Sequence, residues 1–314
     1  MIFIYSRRDM ENKEIKEIME NRENNLQATC PVLFPENERA SLSDIERSLI
    51  KRYRKHIWSK FVKAIKEYNL IEDGDKIAVA ISGGKDSLIM AKLFQELKKN
   101  GKDNFELEFI AMDPGYHPSI KELLLENAKY LEIPLTYYPA DIFAVADKIA
   151  GDYPCYMCAR MRRGSLYAKA KELGCNKLAL GHHFNDVIET TMLNLLCAGS
   201  FKTMPPKLKA KNFENMEIIR PLYLIEEEYI IRWMKSTGLM PLNCACMVAA
   251  KKIGNKRYQI KDLIENLKKD FKNVDSSIFR AGENVNINLL LGYEINGHKV
   301  DFNEKYEENN PFYE

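Results

Sequence analysis

Six residues within the run Ala80–Ser87 have the types and spacing of a loop that holds a phosphate group: Ser82, Gly83, Gly84, Lys85, Asp86 and Ser87. The two glycines let backbone N–H groups approach an anion, and a helix starting at about Ser87 points its positive dipole end at the same place. The spacing matches neither the Walker A pattern nor the Gly-x-Gly-x-x-Gly fingerprint. An ordinary Gly-Gly turn would not explain the flanking Ser, Lys and Asp, so we favour a phosphate-binding loop.

Two close pairs of cysteines could bind a metal. Cys155 and Cys158 begin a predicted helix that is rich in arginine, and Cys244 and Cys246 follow in a later segment. A helix N-terminus and nearby cations both favour the thiolate form. The first pair alone fits a redox dithiol, half of a zinc site or part of an iron–sulfur site. Four thiolates would close a structural zinc site, whereas three would allow a cubane cluster with one open iron.

A third polar run, Gly181–Asp186, follows a predicted strand and starts a predicted helix. A single histidine is usually a structural group. Here His182, His183 and Asp186 lie together at a strand end that faces the phosphate loop, which favours a role in nucleotide or substrate handling.

These groups need a scaffold that brings them together. From Lys76 onward, apolar strand-like runs alternate with helical patterns, which predicts an α/β fold with a doubly wound, mostly parallel sheet and an N-terminal helical extension. The predicted strands are Lys76–Ile81, Glu106–Met112, Leu135–Pro139, Lys177–Leu180 and Glu217–Arg220. The predicted helices are Ser87–Lys99, Pro118–Leu131, Cys158–Leu173, Asn185–Cys197, Glu226–Lys235 and Lys256–Lys269. Ligands of such sheets bind beyond the carboxyl ends of the strands, so Ser82–Ser87, Met112–Asp113 and Gly181–Asp186 should meet in one pocket.

A basic helix is predicted ahead of the sheet. Ser43 and Glu46 have the spacing of a capping box, and the apolar positions that follow are Ile45, Leu49, Tyr53, Ile57 and Phe61. Seven basic residues occupy the other face: Lys51, Arg52, Arg54, Lys55, Lys60, Lys63 and Lys66. This face is either simply solvated or tracks a phosphate backbone. The same two interpretations apply to a loop that carries Lys207, Lys209 and Lys211.

Composition indicates a globular protein of 314 residues, 46% of them apolar, with a net charge of +2. No apolar run approaches the roughly 20 residues that span a bilayer, and Met1–Arg8 is too short for a signal peptide, so we expect a cytoplasmic protein without a membrane partner. Seven cysteines, an odd number, argue against a disulfide framework. We interpret Cys30, Cys175 and Cys197 as structural, the last two as buried.

The predicted organisation has five parts: an arm over residues 1–42, the basic helix over 43–75, the α/β domain over 76–240, a cysteine-containing helical segment over 241–290 and a tail over 291–314. The tail has no clear period, and we assign it no role.

The loop Ser82–Ser87 resembles the PP-loop of the ATP-pyrophosphatases, an adenine nucleotide alpha-hydrolase-like fold whose members cleave ATP between the α- and β-phosphates. With four other motifs the chain resembles one family, the tRNA 2-thiocytidine synthetases. Those motifs are Cys155-x-x-Cys158 followed by Arg162-Arg163-Gly164, Gly181-His182-His183-x-x-Asp186, Met204-Pro205-Pro206-Lys207-Leu208 and Arg220-Pro221-Leu222. The resemblance extends from about Ser43 to about Leu290.

This resemblance implies that ATP adenylates an anticodon-loop cytidine of tRNA, and that sulfur then replaces the C2 oxygen. It implies an ATP and Mg²⁺ site on the loop with Met112, Gly181 and His182, and catalytic roles for Asp86, Arg162 and Asp186. It also implies a [4Fe–4S] cluster on Cys155, Cys158 and either Cys246 or Cys244, because the family has a second Cys-x-x-Cys where this chain has Cys244-x-Cys246. The implied partners are tRNA and a sulfur donor, either a cysteine desulfurase or inorganic sulfide. The oligomeric state is open between a monomer and a homodimer.

Four alternatives stay open. A related thiolase acting on uridine would be expected to have paired zinc-binding ends, which this chain lacks, and lysidine synthesis gives no reason for the cysteines. An amide-forming nucleotide synthetase would need an ammonia source, and the chain has no glutaminase module. The remaining class is a non-enzymatic module that binds zinc or ATP.

Overall fold

A computed structural model describes residues 38–101, 104–140, 142, 154–242 and 256–307, without the side chains of 154–159 and 307. The side chains of Cys155 and Cys158 therefore lie outside the described residues. So do Cys30, Cys244 and Cys246, together with most of the predicted N-terminal arm.

Six strands form one sheet in the order β3-β2-β1-β4-β6-β5. They are β1 Lys76–Ala80, β2 Glu106–Asp113, β3 Leu135–Pro139, β4 Lys177–Ala179, β5 Lys207–Lys209 and β6 Glu217–Ile219. All pairings are parallel except the one between β5 and β6. The predicted fold class is confirmed, and each predicted strand is present with its ends shifted by at most one residue.

The central strand explains why the sheet carries helices on both faces. Ile77, Ala78 and Val79 of β1 are all fully buried, so both faces of this strand are covered. Ala78 lies opposite Glu108 of β2 and Leu178 of β4. The chain runs from β1 to β2 on one side and returns to β4 on the other, so strand order reverses between β1 and β4, where such sheets bind ligands.

Ten α-helices occur in the described residues: α1 Leu42–Ile50, α2 Ser59–Glu67, α3 Lys85–Asn100, α4 Pro118–Tyr130, α5 Pro154–Glu172, α6 Phe184–Ala198, α7 Glu227–Thr237, α8 Lys256–Asp270, α9 Val274–Ala281 and α10 Phe302–Glu307. A π-helix spans Arg54–Trp58 and a 3₁₀ helix spans Ile287–Leu289. Among the described residues, no helix is both long and apolar enough to cross a membrane.

The predicted basic helix is not one continuous α-helix. Its apolar residues repeat every four positions, and a 3.6-residue helix would rotate such a stripe steadily away from the core. The π-helix between α1 and α2 has a wider turn and corrects this rotation. As a result Ile45, Leu49, Tyr53, Ile57 and Phe61 are all buried.

The predicted capping box at Ser43 is wrong by two residues. Ser41 is the N-cap of α1, and its Oγ accepts a hydrogen bond from the N–H of Asp44 at 3.2 Å. Glu46 instead pairs with the buried Lys92 at 2.6 Å and with Lys99 at 2.9 Å. Glu46 therefore neutralises the charge of a buried lysine and does not cap the helix.

Two further expectations need correction. Lys207 and Lys209 belong to the edge strand β5 rather than to a loop, and Lys207 Nζ donates to the carbonyl oxygen of Asn69 at 2.8 Å. Cys197 is exposed because the last turn of α6 lies outside the core, whereas Cys175 is buried as predicted. Burial raises the pKa of the Cys175 thiol to about 11, which suits an unreactive packing residue.

The chain divides into two compact units. The first comprises residues 1–186 and 205–258 and contains the whole six-stranded sheet; the second comprises residues 187–204 and 259–314. The second unit includes a hairpin of β7 Tyr293–Ile295 and β8 His298–Val300 within the segment that we expected to be a tail without a period. Its Asn296-Gly297 turn, with positive φ at both residues, is a local hairpin signal that the sequence carries.

Candidate active site

The loop between β1 and α3 leaves the start of a helix open. Gly84 is the N-cap of α3, and no side chain of the described residues caps this helix. The Oγ of Ser87 donates to the Gly84 carbonyl oxygen at 2.9 Å, and the Oγ of Ser82 accepts from the Gly84 N–H at 3.4 Å. An uncapped helix N-terminus next to glycines is a binding site for phosphate oxygens.

Glycine is favoured at position 83 mainly by the backbone conformation and also by the close packing of Leu242. Its φ of +80° is unfavourable for residues with a Cβ, and a Cβ built there would lie 2.6 Å from Cδ1 of Leu242. The N–H of Leu242 also donates to the Gly83 carbonyl oxygen at 2.9 Å. The phosphate loop is therefore packed against the segment that precedes Cys244 and Cys246.

Lys85 is held by two carboxylates. Its Nζ lies 3.0 Å from an oxygen of Asp86 and 3.0 Å from an oxygen of Glu227. Burial alone would lower the pKa of Lys85, but the charges and hydrogen bonds of Asp86 and Glu227 outweigh burial and raise the pKa well above its ordinary value. The ammonium group is thus permanently charged and held between these two carboxylates.

The two carboxylate oxygens of Asp86 differ in their contacts with the described residues. Its Oδ2 takes the ion pair with Lys85, but its Oδ1 is buried and has no hydrogen-bond partner among the described residues. The Nε2 atom of His183 lies 3.7 Å from this Oδ1, beyond hydrogen-bond distance. Gly181 packs directly against Asp86, since a Cβ there would lie 3.3 Å from the Asp86 backbone. The loop and the Gly181–Asp186 run therefore meet, as the strand ends predict.

His183 and Asp186 cap helix α6 reciprocally. The N–H of His183 donates to Oδ2 of Asp186 at 2.9 Å, and the N–H of Asp186 donates to Nδ1 of His183 at 3.4 Å. This is the geometry of a capping box, with histidine as the N-cap residue. Asn185 serves the next helix, because its Oδ1 accepts from the N–H of Glu227 at 2.9 Å. Much of this polar run thus positions two helices.

Asp186 also binds Arg257, whose Nη2 lies 2.8 Å from Oδ1. Burial alone would raise the pKa of Asp186, but His183, Arg257 and His182 outweigh it and hold the pKa at about 2. With both oxygens engaged and such a low pKa, Asp186 is a fixed negative charge and a poor proton acceptor.

The segment of residues 243–255, which contains Cys244 and Cys246, lies outside the described residues, but described residues on either side of it belong to this site. Leu242 precedes it and is bonded to Gly83; Arg257 follows it closely and is paired with Asp186. Cys155 and Cys158 are in the first turn of α5, as the backbone shows. Among the described residues alone, no group of three or more histidine, cysteine or acidic side chains could hold a metal ion.

Two predicted site residues have a weaker connection to this network. Met112 is buried at the carboxyl end of β2, opposite Tyr138. Arg162 is half-buried on α5, and the hydrogen bonds and ion pairs described above for Asp86 and Asp186 do not include it. Its neighbour Arg163 is near enough to Arg220 to lower the pKa of the Arg220 guanidinium. Burial is the largest cause of this lowering, and the charge of Arg163 is the second.

Sequence reasoning missed two charged residues of the site, Glu227 and Arg257. Glu227 belongs to an acidic run at the start of α7, a position that normally indicates dipole stabilisation of the helix. Arg257 lies in a basic stretch that is typical of a solvated helix. The partner of each residue is distant in sequence, so neither pattern contains the signal.

Comparisons with known proteins add to this geometry. Residues 51–240 match the model of the PP-loop domain family. A tRNA-cytidine(32) 2-sulfurtransferase from Pelobacter propionicus is 36% identical over 240 residues, which cover 75% of this chain and 87% of that protein. The chain belongs to the tRNA 2-thiocytidine synthetase family.

Other members of the family and a solved structure agree with this assignment. A tRNA-cytidine(32) 2-sulfurtransferase from Aliivibrio fischeri is 34% identical over 271 residues, which cover 84% of this chain and 83% of that family member. The structure of the U34-tRNA thiolase NcsA from Methanococcus maripaludis, solved with its [4Fe-4S] cluster, superposes with a TM-score of 0.59 and 26% identity, over 72% of this chain and 76% of that one.

Proposed function

We propose that this protein uses ATP to convert a tRNA cytidine, at position 32 as in its relatives' names, into 2-thiocytidine. One observation carries the proposal. The open phosphate loop at Ser82–Ser87 and Asp186 lie at the same edge of the sheet, and they bind Leu242 and Arg257, which flank the segment that contains Cys244 and Cys246. This edge can therefore bring ATP, a substrate base and thiolate ligands together.

ATP binds with its phosphates on the uncapped N-terminus of α3, where the backbone N–H groups and Lys85 neutralise their charge. The buried, unpartnered Oδ1 of Asp86 is the oxygen ligand that suits Mg²⁺ at this position. Met112 and Gly181 border the nucleotide in this proposal, and His182, after β4, lies between the nucleotide and the substrate.

The reaction proceeds in two balanced steps. The cytosine O2 attacks the α-phosphorus, the bond to the β-phosphate breaks and pyrophosphate leaves. Hydrosulfide then attacks C2 and loses its proton, the C2–O bond breaks and AMP leaves with the original oxygen. Binding both reactants in one geometry lowers the entropic cost of the first step. Asp186 keeps Arg257 in place beside the reacting groups, and Arg162 is our candidate for polarising the base.

Cys155, Cys158 and Cys246, or Cys244 in its place, would hold a [4Fe–4S] cluster. Thiolates are the ligands such clusters require, and the structural neighbour of the family binds one. Bound to three cysteines, such a cluster would supply an iron that no protein ligand occupies and that could bind sulfide. The donor of that sulfur is inorganic sulfide, or a cysteine desulfurase whose persulfide is reduced to hydrosulfide by a thiol reductant that becomes a disulfide.

The basic surface of the first helices is our candidate contact for tRNA. Its six exposed cations are Lys51, Arg52, Arg54, Lys55, Lys63 and Lys66, whereas Lys60 is engaged with Glu226. A groove of about 610 Å³ lies beside them between the π-helix and α7, where the rings of His56 and Tyr229 stack at 4.0 Å. Lys209 and Lys211 on and after β5 add a second exposed patch.

Phosphate binding by these cations predicts a steep loss of tRNA affinity with salt. The test variant replaces Lys51, Lys55 and Lys63 together with glutamine. In a plot of the logarithm of tRNA affinity against the logarithm of salt concentration, its slope should be shallower by about one for each phosphate that the variant no longer neutralises. A slope that stays unchanged in this variant would show that the helix surface does not bind tRNA.

A second function is favoured by one observation. The solved structural neighbour is a thiolase that acts on U34 of tRNA, so a uridine substrate must be tested beside cytidine. Mass spectrometry of the nucleosides released from treated tRNA distinguishes 2-thiocytidine from 2-thiouridine.

The test is anaerobic purification, followed by iron, sulfide and zinc analysis and by nucleoside mass spectrometry after reaction with tRNA, ATP and sulfide. We expect about four iron atoms per chain, as a cubane requires, and formation of 2-thiocytidine. Cys155→Ala should lose both iron and product while keeping its fold, and Cys197→Ala, which removes an exposed thiol, should lose neither. One zinc per chain, or normal thiolation by Cys155→Ala, would contradict the cluster.

A further inference from the structure

Two buried polar atoms next to the active site have no partner among the described residues. They are Nδ1 of His182 and Nε of Arg220, both almost completely inaccessible to solvent. Arg220 is anchored at its other end, because its Nη1 donates to the carbonyl oxygen of Pro205 and its backbone N–H donates to that of Pro206 at 3.0 Å. A buried polar group without a partner is costly, so this arrangement points to a group that completes it.

The surroundings of these atoms are positively charged. Burial and the charge of Arg163 both lower the pKa of Arg220. Burial, Arg220 and Arg257 lower the pKa of His182 to about 4, so that its ring is neutral at physiological pH. Asp186 is the acid that opposes these effects, but its two oxygens already serve His183 and Arg257. Guanidinium groups brought together with too little negative charge are typical of an anion site.

The order of strands fixes where this site lies relative to ATP. Along the carboxyl edge, Met112 follows β2, the phosphate loop follows β1, His182 follows β4 and Arg220 follows β6. Neighbouring strands are about 4.8 Å apart, so Arg220 lies roughly 10 Å from the phosphate loop on the side away from Met112. A nucleotide whose base lies toward β2 would extend its phosphates only as far as β1.

We propose that His182, Arg163 and Arg220 hold one phosphate of the tRNA backbone next to the nucleotide that is modified. This inference rests on the proposed function and deepens it, since it assigns the groups that seat the substrate base beside the α-phosphate of ATP. Arg220 donates through Nε, the neutral His182 ring donates through Nδ1, and the exposed Arg163 contributes its charge from α5. In this proposal the carboxyl edge of the sheet binds a phosphate of ATP and a phosphate of tRNA.

The chemistry recognised here is a phosphate group, which tRNA and ATP both carry, so the experiment separates the two sources. Arg163→Gln is the principal variant because Arg163 is exposed and its loss should not affect folding. Lys171→Gln, an exposed cation near the end of the same helix, is the matched control. Arg220→Lys keeps the charge but removes the planar donor group, and its thermal unfolding is checked before its binding is interpreted.

For each protein we would measure the dissociation constant for tRNA at several salt concentrations, and the KM for ATP in pyrophosphate release. Arg163→Gln should weaken tRNA binding roughly tenfold and reduce the salt slope by about one, with the KM for ATP unchanged. Arg220→Lys should also weaken tRNA binding, and Lys171→Gln should match the wild type.

Two results would overturn the inference. An increase in the KM for ATP with unchanged tRNA affinity would assign the site to ATP, and unchanged values for both ligands in Arg163→Gln and in a folded Arg220→Lys would remove the anion site. Failure of the proposed function looks different, because the wild-type protein itself would then neither bind nor thiolate tRNA.

Discussion

Two strand-to-helix turns lie side by side at the point where the order of strands reverses. They differ in whether the start of the following helix is capped, and we call the uncapped one the open turn and the capped one the closed turn. The turn after β1 leaves α3 without a side-chain cap, with glycine at the N-cap. The turn after β4 closes α6 with a reciprocal pair of hydrogen bonds between His183 and Asp186. A helix start that the protein does not satisfy is available to a ligand, whereas a self-satisfied one is a structural support.

This difference changes the meaning of the two motifs. From the sequence, the first run is interpreted as a phosphate-binding loop and the second as a run that handles the nucleotide or the substrate. In the structure, the first run presents unsatisfied groups, such as the Oδ1 of Asp86, and the second run mostly uses its polar groups to hold α6, α7 and Arg257 in place. His182 is the exception in the second run, because its buried Nδ1 has no hydrogen-bond partner among the described residues.

The largest effect is expected at the glycine of the open turn. Gly83→Ala places a Cβ at a φ of +80° and displaces the side chain of Leu242, which should cost about 1–2 kcal/mol of unfolding free energy, mainly for the left-handed backbone, and abolish pyrophosphate release. Gly84→Ala is the control for folding, because a Cβ there meets nothing closer than 3.5 Å. Thermal unfolding of the two variants should differ clearly; equal melting temperatures would contradict the close packing of the loop on Leu242.

At the closed turn, Asp186→Asn removes the charge that holds His183 and Arg257. The pKa of Asp186 is about 2, lower than in an unfolded chain, so its stabilisation of about 2 kcal/mol is complete at neutral pH and is lost as pH falls from about 4 to about 2. The variant should be less stable at pH 7 and show a flatter decline in acid. Parallel acid-denaturation curves for variant and wild type would show that Asp186 carries no such linkage.

A helix start away from the site tests whether self-capping contributes to stability in this chain. Ser41→Ala removes the N-cap of α1 and should lower the unfolding free energy by about 1 kcal/mol. Ser43→Ala, at the position that the sequence suggests as the cap, should have an effect of only a few tenths of a kcal/mol. Denaturant titration of both variants decides this, and the reverse order of effects would move the cap back to Ser43.

The smallest effect is expected from the ion pair that Lys85 of the open turn makes with Glu227 before ATP binds. Glu227→Gln leaves Lys85 with one carboxylate, so ATP no longer competes with Glu227 for the ammonium group. The KM for ATP should fall by roughly two- to fivefold, equivalent to about 0.5–1 kcal/mol. Glu228→Gln removes an exposed acid that pairs with Arg232, and it should leave the KM unchanged. An increase in KM in Glu227→Gln would mean that Glu227 orients Lys85 rather than competing with ATP.

The sequence predicts the sheet well because each predicted strand of the first unit is a short apolar run with a clear boundary. It predicts the meeting of the phosphate loop with Gly181 for the same reason, since both follow parallel strands that lie side by side. It does not predict the π-helix, although the four-residue spacing from Ile45 to Phe61 contains that information.

The charge partners could not be predicted. The pairs Lys85–Glu227 and Asp186–Arg257 join residues that are far apart in the chain, and their partners are chosen by packing. Local patterns also misassigned Glu46, which has the spacing of a capping residue and instead neutralises the buried Lys92. Long-range electrostatics is thus the part of this site that requires coordinates.

In our proposal the open turn holds ATP for attack on its α-phosphorus by a tRNA base. The most direct test is to identify the nucleotide products formed with and without tRNA, together with the amount of 2-thiocytidine. We predict AMP and pyrophosphate in equal amounts, formed only when tRNA is present and in proportion to the thiolated nucleoside. Formation of ADP and inorganic phosphate, or AMP that accumulates without tRNA, would contradict this role of the open turn.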